Sequence, residues 1–229
     1  MRSSPPPPIL CVMRGSSAKK LTHGRRETLD GAGVMLDVAD AAGRLDLAAV
    51  FGNRRPVEVE IGSGKGTFLL ARAAARPEAN FLGIEYARGY CLYAADRIRR
   101  AGLGNVRMIC ADAGRFLAEH LADASVWRLH VYFPDPWPKR RHRRRRLIGL
   151  PFAEQAHRVL RPGGLLVVVT DHRGYFEQIR RLLAGAAGFA AVPLPPMSDK
   201  SGEIVGTNFE RKYIAQGRPF HAIARMRLG

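Results

Sequence analysis

The segment Val57-Glu58-Val59-Glu60-Ile61 runs straight into Gly62-Ser63-Gly64-Lys65-Gly66 and then into a stretch of small, helix-forming residues. A β-branched strand that enters a glycine-rich turn and leaves as a helix opens a βα unit, and bare backbone in such a turn allows a ligand to approach closely. The same alternation continues downstream. Strands are predicted at Val57–Ile61, Asn80–Glu85, Val106–Cys110, 129–133 and 165–170, the last entered through a Pro162-Gly163-Gly164 turn. Helices are predicted at 66–75, 87–101, 152–160 and 174–184, and a final strand at 222–226. Strands alternating with helices imply an α/β fold with a mostly parallel sheet covered on both faces. Residues 193–206 read as a long Pro- and Gly-rich loop, which directs attention to its sequel at 207–212.

At 229 residues and 46% hydrophobic, the chain is long enough for one sizeable core, expected over 26–229. Residues 1–25 read as a disordered, basic, Pro-rich tail. Their apolar run at 9–13 is too short to span a bilayer or serve as a signal sequence. No membrane partner is expected. Cys11, Cys91 and Cys110 form no CxxC pair and the histidines no ligand spacing, so neither a disulfide framework nor a metal is expected, and a reducing cytoplasm fits. Lys and Arg number 37 against 20 Asp and Glu, a formal charge of +17 that suits a polyanion such as nucleic acid. A monomer is the expected state.

Three readings compete for the glycine turn. A phosphate-cradling P-loop requires Ser or Thr after Gly64-Lys65, where Gly66 stands. A dinucleotide fingerprint requires glycine where Thr67 stands. The spacing Gly62, Gly64, Gly66 instead resembles the first motif of class I S-adenosylmethionine-dependent methyltransferases, which implies a Rossmann-like, mostly parallel seven-stranded sheet with helices on both faces. Glu85, ending the second strand, is placed to hold two ribose hydroxyls, and Asp112, after the third, to accept from an adenine amino group. Glu60 is placed at the amino-acid end of the cofactor or against the turn itself. Carboxylates at three consecutive strand ends mark the edge of an open α/β sheet where ligands bind.

The fourth strand is followed by Phe133-Pro134-Asp135-Pro136-Trp137-Pro138-Lys139 and then by Arg140, Arg141, His142, Arg143, Arg144, Arg145 and Arg146. Two prolines restrict the backbone around Asp135, and the densest basic cluster of the chain follows at once. FPDPWPK, then Thr170-Asp171, then Thr207-Asn208-Phe209-Glu210, together with EIGSGKG and GIE, resemble the bacterial tRNA (guanine-N7)-methyltransferase family from about residue 55 onward. A basic element at 18–25 matches only loosely. The resemblance implies S-adenosylmethionine bound by Glu60, Gly62, Gly64, Gly66, Glu85, Asp112 and Asp135, and Asp135 as the catalytic residue. It further implies substrate contacts from Lys139, Asp171, Thr207, Asn208, Phe209 and Glu210, and RNA contacts from Arg141, His142, Arg143, Arg144, Arg145 and Arg146. The product would be 7-methylguanosine in the tRNA variable loop.

The chemistry agrees with these residue types. Guanine N7 carries an in-plane lone pair, so methylation needs no base to deprotonate it, and positioning and electrostatics dominate. Asp171 and Glu210 are natural acceptors for the N1–H and amino donors of guanine, and Phe133 and Trp137 offer stacking faces. Other readings are a methyltransferase acting on another RNA or on an acidic small molecule, and a non-catalytic RNA-binding protein of the same fold.

Overall fold

The computed structural model describes residues 17–19, 28–37, 43–198 and 203–229. In chain order these form β1 (Ser17–Lys19), β2 (Thr28–Asp30), β3 (Met35–Leu36), α1 (Leu47–Phe51), β4 (Val57–Ile61), α2 (Thr67–Ala75), β5 (Asn80–Glu85) and α3 (Arg88–Arg100). There follow β6 (Val106–Cys110), α4 (Ala113–His120), β7 (Val126–Tyr132), α5 (Leu150–Val159), β8 (Leu160–Thr170), α6 (Arg173–Gly185), β9 (Phe189–Val192), α7 (Asn208–Ala215) and β10 (His221–Arg227). The main sheet runs β3-β6-β5-β4-β7-β8-β10-β9. Its first six strands are mutually parallel, and β10 is antiparallel to both neighbours. From β4 the chain builds outward through β5 and β6, then returns to β4's other side with β7. The carboxyl ends of β4 and β7 therefore flank a topological switch point, the crevice where open α/β sheets bind ligands.

Among the described residues the sheet has eight strands rather than the expected seven. The added one is the two-residue β3, held against β6 by Met108 N–H donating to Val34 O at 2.9 Å. So short a pairing carries no periodicity to read. The bounds of β4, β5 and β6 coincide with those predicted from the sequence. Pro162-Gly163-Gly164 does not precede the fifth strand but bulges within it: Val126 faces Leu160 while Arg128 faces Leu165, and Gly163 takes a φ of +76°. The tail expected at 1–25 lies outside the described residues except for β1, which pairs with β2. Cys11 and most of the 18–25 basic element lie outside them as well.

Alternation along β4 sorts its side chains between the two faces. Val57, Val59 and Ile61 join the core beneath α1, α4, α5 and α6, whereas Glu58 and Glu60 point to the face covered by α2 and α3. Each large apolar side chain buried in these layers contributes roughly 1.5–3 kcal/mol. Glu58 is fully buried, and its carboxylate meets Arg76, Arg72 at 3.5 Å, Arg128 at 3.5 Å and His130 at 3.0 Å. Burial raises its pKa, but the hydrogen bond from His130 and the surrounding cations outweigh that and hold it down at about 2.

Candidate active site

The β4–α2 turn is left-handed at Gly62, Gly64 and Gly66, with φ of +74°, +52° and +69°. A Cβ on Gly62 would meet nothing within 4 Å, so that turn faces open space. Gly66 differs: a Cβ there would stand 2.9 Å from the Ala94 Cβ, and the residue is absent from the cavity wall. It serves the packing of α2 on α3 rather than a ligand. Gly83 on β5 carries no motif that marks it, yet a Cβ there would lie 2.5 Å from Leu69 Cδ1 and 2.4 Å from Met108 Sδ. Glu85 accepts from Gly64 N–H and Ala87 N–H, both at 2.8 Å, which ties the second strand end to the glycine turn. Asp112 caps α4 by accepting from Arg115 N–H at 2.9 Å.

Glu60 stands apart from these carboxylates. It is buried, and its Oε2 has no hydrogen-bond partner among the described residues. Burial, followed by the neighbouring Glu85 charge, pushes its pKa up to about 8 against the opposing effect of Ser63. A buried carboxyl group with one oxygen left unpartnered on a cavity wall is complementary to a cation with N–H donors. The ammonium group of S-adenosylmethionine is such a cation, so these residues fit the cofactor implied by the glycine motif.

The β7–α5 connection is strained around Asp135. Phe133 and Trp137 adopt positive φ, +50° and +39°, which non-glycine residues occupy only when their surroundings enforce it. Phe133 N–H donates to Val169 O at 2.7 Å and anchors the start of the turn on β8. Arg146 braces its middle, with Nε donating to Pro136 O at 2.7 Å, an Nη donating to Gln178 Oε1 at 2.6 Å and the guanidinium 4.6 Å over the Tyr175 ring. Arg146 is therefore a strut of the turn. Arg145 lies 5.1 Å over Trp137, and Arg141, Arg143 and Arg144 are exposed on a 3-10 segment, Arg140–Arg145, with no acidic side chain paired to them among the described residues.

Thr207, opening Thr207-Asn208-Phe209-Glu210, is the N-cap of α7. Thr207 Oγ1 accepts from Glu210 N–H at 3.0 Å. Glu210 is fully buried and accepts from the N–H groups of Ile204, Val205 and Gly206. Its carboxylate is spent on the backbone, so the expected contact with the guanine edge gives way to a role in shaping the loop. Asp171 accepts from Arg218 at 2.6 Å, and Arg218 lies over Tyr213 at 4.3 Å. Phe133, Phe209 and Tyr213 form an aromatic cluster, with centroid separations of 5.4–6.3 Å.

One cavity of about 1370 Å³ at the switch point joins most of these groups. Its wall includes Glu60, Gly62, Gly64, Glu85 and Asp112 on one side, and Asp135, Arg145, Arg146, Thr207, Asn208 and Phe209 on the other. Gly66, Lys139, Asp171, Glu210, Arg141, His142, Arg143 and Arg144 do not line it. Lys65 of the glycine motif and Lys212 of the 207–212 segment do, and so do Tyr132, Phe68, Tyr86 and Tyr90, which nothing in the sequence marks, because an isolated aromatic carries no spacing signal.

A family model described as "Putative methyltransferase" matches residues 54–223. A tRNA (guanine-N(7)-)-methyltransferase of Rhodopirellula baltica is 38% identical over 80% of this chain and 70% of its own. The enzyme of that name from Sodalis glossinidius is 40% identical over 76% of this chain and 72% of its own. Among solved structures, the antibiotic-resistance methyltransferase Kmr superposes with a TM-score of 0.54 at 18% identity, covering 80% of this chain and 92% of its own. A SAM-dependent methyltransferase from Aquifex aeolicus gives 0.53 at 15% identity, covering 80% and 88%. These two share the fold. On the family match and the sequence identity, the chain belongs to the tRNA (guanine-N7)-methyltransferase family.

Proposed function

We propose that this protein transfers a methyl group from S-adenosylmethionine to N7 of a guanine in tRNA, at the variable loop. The observation that carries the reading is the single cavity running from Glu60, Glu85 and Asp112 to Asp135 and the Thr207–Phe209 rim. S-adenosylmethionine supplies, when bound, an electrophilic methyl group on a sulfonium sulfur. Glu60 offers a carboxyl oxygen to the ammonium group, Glu85 and Asp112 border the nucleoside half, and Gly62 and Gly64 keep side chains out of its way.

Guanine N7 needs no deprotonation, so the protein's task is to aim the lone pair and stabilise the charge that develops on the ring. Asp135, held by a strained turn on the cavity wall, is the carboxylate for that charge. Asn208 presents both an amide acceptor and a donor at the rim, and Phe209 is an exposed stacking face. Asp171 and Lys139 lie outside the cavity, which makes them contacts for the nucleotides flanking the target. Arg141, His142, Arg143 and Arg144 are assigned to phosphates.

No helix among the described residues is long and apolar enough to cross a membrane. A monomer is the proposed state, and a tRNA substrate suits the cytoplasm. The test is methyl transfer from labelled S-adenosylmethionine to unmodified tRNA, followed by nucleoside analysis. Label in 7-methylguanosine that disappears when the variable-loop guanosine is replaced by adenosine supports the proposal. Label in another nucleoside overturns it.

A further inference from the structure

A chain of buried polar groups leads from the interior to the cavity and has no part in the reaction as described so far. Glu58, deep on β4, touches His130 on β7 at 3.0 Å through Nε2, and His130 Nδ1 lies 2.7 Å from the Tyr132 hydroxyl. All three are buried, Phe68 packs its ring on both His130 and Tyr132, and Tyr132 and Glu60 share the cavity wall. The direction of every proton in this chain follows from its ends. Glu58, ringed by three arginines, is ionised and only accepts. His130 Nε2 must then carry the ring proton and donate to it. Burial holds the His130 pKa below its ordinary value despite Glu58, so the ring stays neutral and Nδ1 bears a lone pair. The Tyr132 hydroxyl therefore donates inward to Nδ1, and what remains on its oxygen is acceptor capacity alone.

We propose that Glu58 and His130 are positioning residues that lock the Tyr132 hydroxyl as a hydrogen-bond acceptor, and that Tyr132 pairs with Glu60 to select the ammonium group at the cofactor's amino-acid end. An ammonium group carries three donors, and Glu60 alone does not occupy them. A freely rotating hydroxyl would present its own hydrogen to the cation part of the time; the inward hydrogen bond removes that conformer. The inference rests on S-adenosylmethionine as cofactor but not on the identity of the methylated base.

The test compares two ligands that differ in the amino-acid portion, S-adenosylhomocysteine and 5′-methylthioadenosine, by titration calorimetry on the full chain. Tyr132→Phe should weaken S-adenosylhomocysteine by about 10- to 100-fold, the loss expected for a hydrogen bond to a charged group, while leaving 5′-methylthioadenosine within about twofold. Equal weakening of both ligands would mean that Tyr132 only packs the wall, and no change in either would remove it from the site. Should Tyr132→Phe fail to fold, ¹⁵N shifts of the His130 ring in the wild-type protein decide the matter. A bare Nδ1 and a protonated Nε2 support the chain, and a proton on Nδ1 overturns it. His130→Asn, which retains an acceptor near the Nδ1 position, should restore much of the ligand discrimination that His130→Leu abolishes; equal loss in the two variants would make His130 a packing residue.

Discussion

Asp135 and Glu60 are both carboxylates on one cavity wall, but their surroundings assign them different tasks. Asp135 sits on an exposed, strained turn, so it is free to act on the developing guanine charge without first losing its own hydration to the protein. Asp135→Ala should lower single-turnover methyl transfer by about 10²–10³-fold, the scale of losing one preorganised electrostatic group, with the melting temperature unchanged. An unaltered rate in a folded variant would place the active centre elsewhere. Glu60 is the opposite case. Its folded pKa of about 8 stands above the ordinary carboxylate value of 4.5, so the native state holds a proton that the unfolded chain releases between those limits. Stability is fully present below pH 4.5 and falls as the pH rises toward 8, beyond which the penalty is constant. Glu60→Gln removes that slope. Without cofactor, its melting temperature should exceed the wild type's near pH 8, and the gap should close toward pH 4.5, while binding of S-adenosylhomocysteine weakens at least about tenfold. A gap that widens toward low pH would contradict the assignment.

At the scale of the elements, the Arg-rich segment divides into two functions that its composition does not distinguish. Arg146 points inward and holds Pro136 and Gln178, whereas Arg141, Arg143 and Arg144 are exposed. Neutralising the three exposed arginines should weaken tRNA binding and flatten the slope of log affinity against log salt by about 0.7–0.9 for each phosphate that is no longer neutralised, with cofactor binding and melting temperature unchanged. Arg146→Ala should instead lower the melting temperature and the turnover rate together, because the turn bearing Asp135 loses its brace. The N-terminus of α7 obeys the same division. Thr207→Ala should cost about 1 kcal/mol of stability, and Glu210→Ala more, since three backbone N–H groups, two of them buried, lose their acceptor. Thermal or denaturant unfolding measures both.

For the whole molecule, the +17 charge and the buried Glu60 on the cavity wall predict two different responses to salt. Raising ionic strength should lower tRNA affinity by orders of magnitude and leave S-adenosylhomocysteine affinity nearly level, since binding to phosphates releases counterions and buried pairs are weakly screened. Parallel losses, followed by calorimetry over a salt series, would mean that the basic surface supports the fold. The same separation of local from long-range effects explains what was legible in the chain. Strands β4, β5 and β6, the glycine turn and the strand-end carboxylates could be read directly because each is a run of neighbouring residues with its own periodicity or turn chemistry. The strand–helix alternation and the motif order were enough for the α/β class, the methyltransferase fold and the family. What the sequence left open concerns residues that share a motif but not a direction. Gly66 lies in the glycine motif yet packs on Ala94, Glu210 lies in the TxxE element yet serves three backbone amides, and Arg146 lies in the basic run yet braces a turn. Likewise Glu58, His130 and Tyr132 come from two strands that become neighbours only when β7 returns beside β4. Sequence determined which chemical groups the site contains, because those belong to the residues themselves; tertiary structure decided which of them face the cavity, because that depends on partners distant in the chain.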